Sequence, residues 1–267
     1  MSVAAGEPLV AAAPAAARIS LSALVVARNE AVQLAECLQC LAFADEIVVV
    51  LDRCEDNSRD LAGQFTDRVI EGAWEREGPR RNTGIAACRG EWLLEVDADE
   101  RVGAALAGEI RATIETSTAD WHLIPVDNYI GDRLVRYGWG ASFGRSAHAG
   151  LFRRGVKHWG DQRVHPAVDL TGAQGAVLQH RLAHHVDRNI SDMLQRLDRY
   201  TTARARDLRD GRDIGSFGHN VRRMFSRFWK CYVGRRGYRE GPYGFLIALC
   251  AGLYPILSYL KARLETE

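Results

Sequence analysis

No stretch of the sequence holds the roughly 18 consecutive apolar residues that a membrane-spanning helix needs, so a conventional integral membrane protein is not expected. There is no G-x-G-x-x-G after the first predicted strand and no G-x-x-x-x-G-K followed by Ser or Thr anywhere. Both dinucleotide binding through a glycine loop and P-loop phosphate chemistry therefore lose their support. The six cysteines are too few and too scattered for a disulfide scaffold, which points to a reducing cytoplasm. Cys37 and Cys40 make a single C-x-x-C inside a predicted helix, without the second pair of a zinc ribbon, and read as core packing. The Ala-rich residues 1–17 have no basic n-region and read as a flexible leader rather than a secretory signal. No RNA-binding motif accompanies the arginines, so nucleic acid is not an expected partner.

What is present is enough apolar sequence, 47% of 267 residues, to bury a full core. The net charge of +1 conceals an asymmetry. Residues 1–180 carry 18 Lys and Arg against 25 Asp and Glu, about −7, and residues 181–267 carry 17 against 9, about +8. A basic C-terminal part suits an anionic partner, and charge alone does not choose between lipid, nucleic acid and phosphorylated substrate.

The first hundred residues alternate between strand and helix patterns. Ile19 to Ala27 reads as a strand, followed by Arg28-Asn29-Glu30 and a helix over about 31–42 with Leu34, Leu38 and Leu41 on one face. A second buried strand, 45–51, ends at Asp52. Asp56-Asn57-Ser58 caps a helix over about 58–66, and a third strand follows at 67–71. A further helix, entered through Trp74 to Asn82, ends near Cys88. Trp92 to Val96 is then a fourth strand, which runs into Asp97-Ala98-Asp99-Glu100 ahead of a helix beginning near Val102. Alternation of this kind implies a mainly parallel α/β sheet with covered faces, and such sheets bind ligands at the C-terminal ends of their strands. Asp97 and Asp99 at one strand end can converge on a hard divalent cation. The plainer alternative is a solvated turn that caps the following helix.

Taken in order, Val25-Val26-Ala27-Arg28-Asn29-Glu30, the strand ending at Asp52, Arg81-Asn82 before Gly90-Glu91-Trp92, and Asp97-Ala98-Asp99-Glu100 resemble the family 2 glycosyltransferases of GT-A fold. Trp74, Gly78-Pro79 and Gly150-Leu151-Phe152-Arg153-Arg154 narrow the resemblance to the branch containing lipopolysaccharide-core β-glucosyltransferases. It covers about residues 19–264. It implies inverting transfer of a hexose, glucose from a UDP-linked donor, to a lipopolysaccharide-core or other glycolipid acceptor. It also implies that Ala27, Asn29 and Glu30 line the nucleotide pocket, that Asp52 faces the uridine and that Arg81 approaches the diphosphate. Asp97 would contact ribose and metal, and Asp99 would be the main ligand of a Mg²⁺ or Mn²⁺ ion. Leu182-Ala183-His184 resembles a segment whose His closes the metal site from the far side, which makes His184 a further metal candidate.

The resemblance is interrupted at the base. Many relatives carry Val-His-Glu where this chain reads Val164-His165-Pro166, and proline accepts no proton. His165, Asp161 and Asp169 are the remaining candidates to deprotonate the acceptor hydroxyl, a role worth roughly 10²–10⁴ in rate. The missing acid also motivates an alternative, a non-catalytic nucleotide-sugar or glycan binding protein on the same scaffold. Tyr129, Tyr137, Trp139, Phe143 and Trp159 are candidates to stack on sugar rings, or to pack a core.

From Ser191 to about Asp210 a helix is expected. A tail follows in which seven basic residues from Arg222 to Arg239 interleave with Phe225, Phe228, Trp229, Tyr232 and Tyr238. Phe245 to Leu260 is apolar, too short to span and interrupted by Pro255, which is expected to break or kink a helix. Together these segments suit peripheral attachment to an anionic membrane surface, the cytoplasmic face of an inner membrane. The expected organisation is a leader over 1–17, a catalytic domain over 18–187 and a helical extension over 188–267. The catalytic domain divides into a nucleotide-sugar half, 18–102, and an acceptor half, 103–187.

Overall fold

The computed structural model describes residues 21–139, 145–162 and 166–265. The leader, Phe143 and His165 lie outside the described residues. The chain begins with three β-α units: β1 (Leu21–Ala27), α1 (Ala31–Gln39), β2 (Glu46–Asp52), α2 (Ser58–Gly63), β3 (Val69–Gly72) and α3 (Glu77–Ala87). Then come β4 (Trp92–Asp97), the two-residue β5 (Glu100–Arg101) and α4 (Ala104–Thr116). The second half contains β6 (Trp121–Ile130), β7 (Arg133–Val135), β8 (Ala147–Arg153), β9 (Lys157–Trp159), β10 (Val168–Leu170) and β11 (Leu182–Asp187). It closes with α5 (Ile190–Asp210), α6 (Phe217–Trp229) and α7 (Pro242–Leu264).

The main sheet has the order β3-β2-β1-β4-β8-β6-β11-β5, with β7 beside β6. Its first four strands are parallel. β8 is antiparallel to both β4 and β6, and β11 runs parallel to β6. The sheet is thus parallel from β3 to β4 and mixed beyond residue 120, where the β-α alternation fades from the sequence. β1 is buried on both faces. Leu21, Ala23 and Val25 join Leu34 and Leu38 of α1 and Leu106 and Ile110 of α4 in one core, and Leu24 and Val26 pack with Ile85 of α3 in another. Each fully buried Leu contributes about 1.5–3 kcal/mol of transfer free energy, so this two-sided burial fixes the strand's register and its end point.

Residues beyond 188 do not form a separate layer. Met193, Leu197, Ile247, Ala248 and Tyr254 share a core with Ile130, Val135 and Trp139. α7 is continuous through Pro255, where a break or kink was expected, and it is 23 residues long. By length and composition it could cross a membrane, yet more than half of its apolar window is buried inside the protein. Pro255 removes one i→i−4 hydrogen bond. The packing of Ala251, Tyr254 and Ile256 around it holds the helix together nonetheless.

Candidate active site

The C-terminal ends of β1, β2 and β4 lie level, with Val26 opposite both Val50 and Asp97. Chain reversal after β1 places Asn29 in a left-handed conformation, φ 55°, which Asn tolerates better than most residues. Its side chain accepts a hydrogen bond from the Glu55 amide at 2.8 Å, and Ala31 N–H donates to Asp56 at 3.0 Å, so the β1 and β2 turns are tied together. Asp52 ends β2 and is nearly fully buried. Burial pushes its carboxyl up, but hydrogen bonds from Arg53 and the Trp74 amide, with Arg80 beside them, hold it below the usual carboxylate range.

Two adjoining cavities open along this edge. One, about 680 Å³, is bounded by Asn29, Asp52, Trp74 and Arg76; the other, about 410 Å³, by Asp97, Asp99, Trp159 and His184. Arg28, Glu30, Arg80 and Tyr200 line both. Together they form a continuous trough from Asp52 to Asp99.

Arg81 is at the trough wall, and its guanidinium is committed. It bonds Glu77 at 2.8 Å, Glu95 at 2.9 Å and Asp97 at 2.8 Å, and stacks on Trp159. A Cβ on Gly78 would overlap the carbonyl of Gly160, so α3 approaches the segment after β9 closely enough to bring Trp159 onto Arg81. Glu95 is buried under Lys157 at 2.5 Å; burial alone would raise its carboxyl, but Lys157 and Arg81 lower it. Asp97 is held from a second side by Arg145 at 3.1 Å, and Arg145 also pairs with the fully buried Glu100. Burial would raise the Asp97 carboxyl; the charges of Arg81 and Arg145 drive it far below the ordinary range. Glu100 accepts a hydrogen bond from the Asp97 amide at 2.9 Å, and its own carboxyl is raised by burial.

Asp99 differs from its neighbours. One carboxylate oxygen is buried with no hydrogen-bond partner, and the other lies 3.3 Å from His184 Nε2. β11 delivers His184 by pairing with β5, where His184 faces Glu100, and with β6, where it faces Asn128. Asn128 donates its amide N–H to the Arg145 carbonyl at 2.8 Å, so its oxygen is free to accept from His184 Nδ1 at 3.0 Å. With Nδ1 as donor, Nε2 faces the Asp99 carboxylate either as an N–H or as a lone pair. Burial lowers the His184 pKa, but Asp99 outweighs it and raises it, as expected of imidazolium in a cation's place. A divalent cation bound between Asp99 and His184 would satisfy both the orphaned oxygen and the Nε2 lone pair. No group of three His, Cys, Asp or Glu able to hold a metal exists among the described residues, so Asp99 and His184 would supply only part of a cation's ligand set. Glu30, across the trough, is pushed up to about 7 by burial and by the charge of Asp99.

The structure therefore brings Glu30, Arg81, Asp97, Asp99 and His184 to one cavity, with Asn29 and Asp52 at its other end and Ala27 buried at the end of β1. It does not bring in the candidate bases Asp161 and Asp169. Asp161 is exposed and paired with Arg76, and Asp169 lies on β10, which pairs only with β9 outside the main sheet. His165 falls outside the described residues, although Pro166 after it lines the cavity. Of the aromatics, Trp159 lines this cavity and Tyr129 stacks on His185. Arg80, Arg145, Asn128 and Tyr200 were missed. Arg145 and Asn128 sit in no motif, and only strand pairing carries them to the acids.

A level strand edge with an acid on β2, an acid pair after β4 and a trough between them has the GT-A architecture. Residues 22–134 match the model for glycosyl transferase family 2. The chain is similar to the lipopolysaccharide core biosynthesis glycosyltransferase LpsC of Rhizobium meliloti (strain 1021), 22% identical over 91% of this chain and 92% of the relative. An uncharacterized glycosyltransferase of Rickettsia felis is 23% identical over 91% and 89%. Among solved structures, S. aureus TarS 1–349 in complex with UDP superposes with a TM-score of 0.48 and 15% identity over 83% of this chain and 75% of that one.

Proposed function

We propose that this protein is an inverting, metal-dependent hexosyltransferase that moves glucose from UDP-glucose to a lipopolysaccharide-core or related glycolipid acceptor. The observation that carries the reading is the Asp99 carboxylate, with one oxygen buried and unpartnered and the other facing His184, in a trough lined by Arg28 and Arg80. The similarity to LpsC along almost the whole chain supports the acceptor class.

In this reading Asp52 and Trp74 border the nucleoside end, and Arg28 and Arg80 face the diphosphate. Asp99 and His184 hold a Mg²⁺ or Mn²⁺ ion, which when bound supplies Lewis-acid stabilisation to the departing diphosphate. Arg81 and Arg145 hold Asp97 ionised and in place. The acceptor hydroxyl attacks C1 of the sugar from the face opposite the diphosphate, the new C1–O bond forms as the old one breaks, and UDP leaves with the electron pair. His165, which precedes the cavity-lining Pro166, is the candidate that remains for the base that takes the hydroxyl proton.

A thermal-shift screen of UDP- and other nucleotide sugars with Mn²⁺ or Mg²⁺, followed by a transfer assay on the hits, tests this directly. UDP-glucose stabilisation that requires metal, with transfer to a core oligosaccharide, is the expected result. Metal-dependent binding with neither transfer nor donor hydrolysis would establish the binding-protein alternative that Pro166 motivates. No nucleotide-sugar stabilisation would sink both.

The acceptor class is joined to a proposed location, the cytoplasmic face of a membrane. On α6, Phe225 and Trp229 are 64% and 65% exposed one turn apart, and Phe245 and Leu249 of α7 are exposed in the same way. Phe245 packs on Phe228 and Tyr232, and Gly252 lies against Met224 and Phe228, so the two pairs sit on helices packed against each other. Arg222, Arg235 and Arg236 are exposed near it. The full chain is expected to float with anionic vesicles, and Phe225→Ser with Trp229→Ser to lose most of that binding, because both aromatic bodies would leave the interface. Unchanged flotation of the double variant, or no flotation of the wild type, would discard the location. Point substitutions are the sound test here, since truncating before α7 would remove half of a core.

A further inference from the structure

A third cavity, about 740 Å³, lies on the other side of Arg145 from the metal candidates, and Arg145 lines both spaces. Its walls include Asp127, Arg136, Tyr137, Trp139, Arg181 and Arg235. The charge on these walls is not balanced. Arg181 is matched by Asp127 at 2.6 Å, and Arg145 by Asp97 and Glu100. Arg235 gives one N–H to the Trp139 carbonyl at 2.8 Å and has no carboxylate partner among the described residues. Arg136 is exposed and likewise has none. The backbone here is fixed: Arg136 and Tyr137 both donate their amides to the buried Glu240 at 2.8 and 3.0 Å, and Glu240 is balanced by Arg133. Two unmatched guanidiniums are thus held at an anchored turn beside the half-buried Tyr137 and the Trp139 ring.

Guanidinium forks select planar or tetrahedral oxyanions, and aromatic walls suit the apolar faces of sugar rings. We infer that this cavity binds a sugar bearing a phosphate or a carboxylate, and that this anionic sugar is the acceptor. Assigning it as acceptor rests on the proposed function and on the wall the cavity shares with the donor trough; the anion preference rests on the arginines alone.

The test is binding of three probes to the full chain by saturation-transfer NMR: glucose 6-phosphate, glucuronate and methyl glucoside, each with UDP and Mn²⁺ present. Both anionic sugars are expected to bind at least about 10-fold more tightly than methyl glucoside. Arg136→Gln should remove most of that preference, Arg136→Lys should keep part of it, and Asp99→Ala should leave it intact. Preference for glucose 6-phosphate alone would identify the anion as phosphate, and preference for glucuronate alone as carboxylate. Equal binding of all three probes, or an unchanged preference in Arg136→Gln, would overturn the inference. Anion-selective binding in a protein that shows no UDP binding would defeat the proposed function and leave this site standing.

Discussion

Asp99→Ala is expected to weaken UDP binding in Mn²⁺ by about 100-fold or more and to abolish transfer, with no loss of thermal stability in the metal-free protein. The reason is the state of the carboxylate. One oxygen has no partner and the other faces a histidine, so the group stabilises the fold little and is poised for a ligand. Its charge also raises Glu30, second only to burial. In Asp99→Asn the Glu30 carboxyl should therefore fall from about 7 toward its ordinary value, which carboxyl NMR can follow. The sign for stability follows from linkage. A carboxyl raised in the folded state binds its proton more tightly there than in the unfolded chain, so the stability that Glu30 contributes to the metal-free wild type is lost as pH rises from about 4.5 to about 7. That slope should shrink in Asp99→Asn. Undiminished Mn²⁺-dependent UDP affinity in Asp99→Ala would remove the metal assignment altogether.

The second large effect is structural. Arg145→Met should destabilise the protein by about 3–5 kcal/mol at pH 8, because it leaves Glu100 fully buried without its cation and takes from Asp97 one of two. Burial already raises the Glu100 carboxyl with Arg145 present, and removing Arg145 raises it further. A group with a raised folded-state pKa is least costly when protonated, so the deficit should be smallest in mild acid and grow as pH rises. Urea unfolding at pH 5.5 and 8 measures this, and Glu100→Gln in the same chain should recover most of the loss at pH 8. A deficit independent of pH, or one that Glu100→Gln deepens, would show that Arg145 acts through packing rather than charge.

The acids of the site were legible in the sequence because each sits at the end of a strand whose apolar run is itself legible. Val48 to Leu51 and Trp92 to Leu94 are buried on both faces, and the chain turns polar where the sheet edge meets solvent. The helices of the first half followed from spacings such as Leu34 and Leu38. The two-sided packing of α7 did not follow from composition. A helix apolar all round is equally compatible with lipid and with a core, and only its contacts with α5 and α6 decide how much of it is covered. The Pro255 break failed to appear for the same reason, since tertiary contacts outweigh one lost backbone hydrogen bond.

By itself, then, the sequence determined the alternating sheet, its edge, and the carboxylates Asp52, Asp97 and Asp99 that stand on it, because these are local matters of period and polarity. The tertiary structure alone decided what each carboxylate faces. Arg81, expected at the diphosphate, lines the trough as Arg80 does, but its guanidinium is engaged by Glu77, Glu95 and Asp97, and that of Arg80 by Asp52. Arg145, 48 residues after Asp97, neutralises it, and His184 reaches Asp99 only because β11 pairs with β5 and β6. Charge interactions fall with distance through space and take no account of separation along the chain. Three similar acids therefore acquired three different states, one hydrogen-bonded, one doubly paired and one open to a cation, from partners that no local pattern announces.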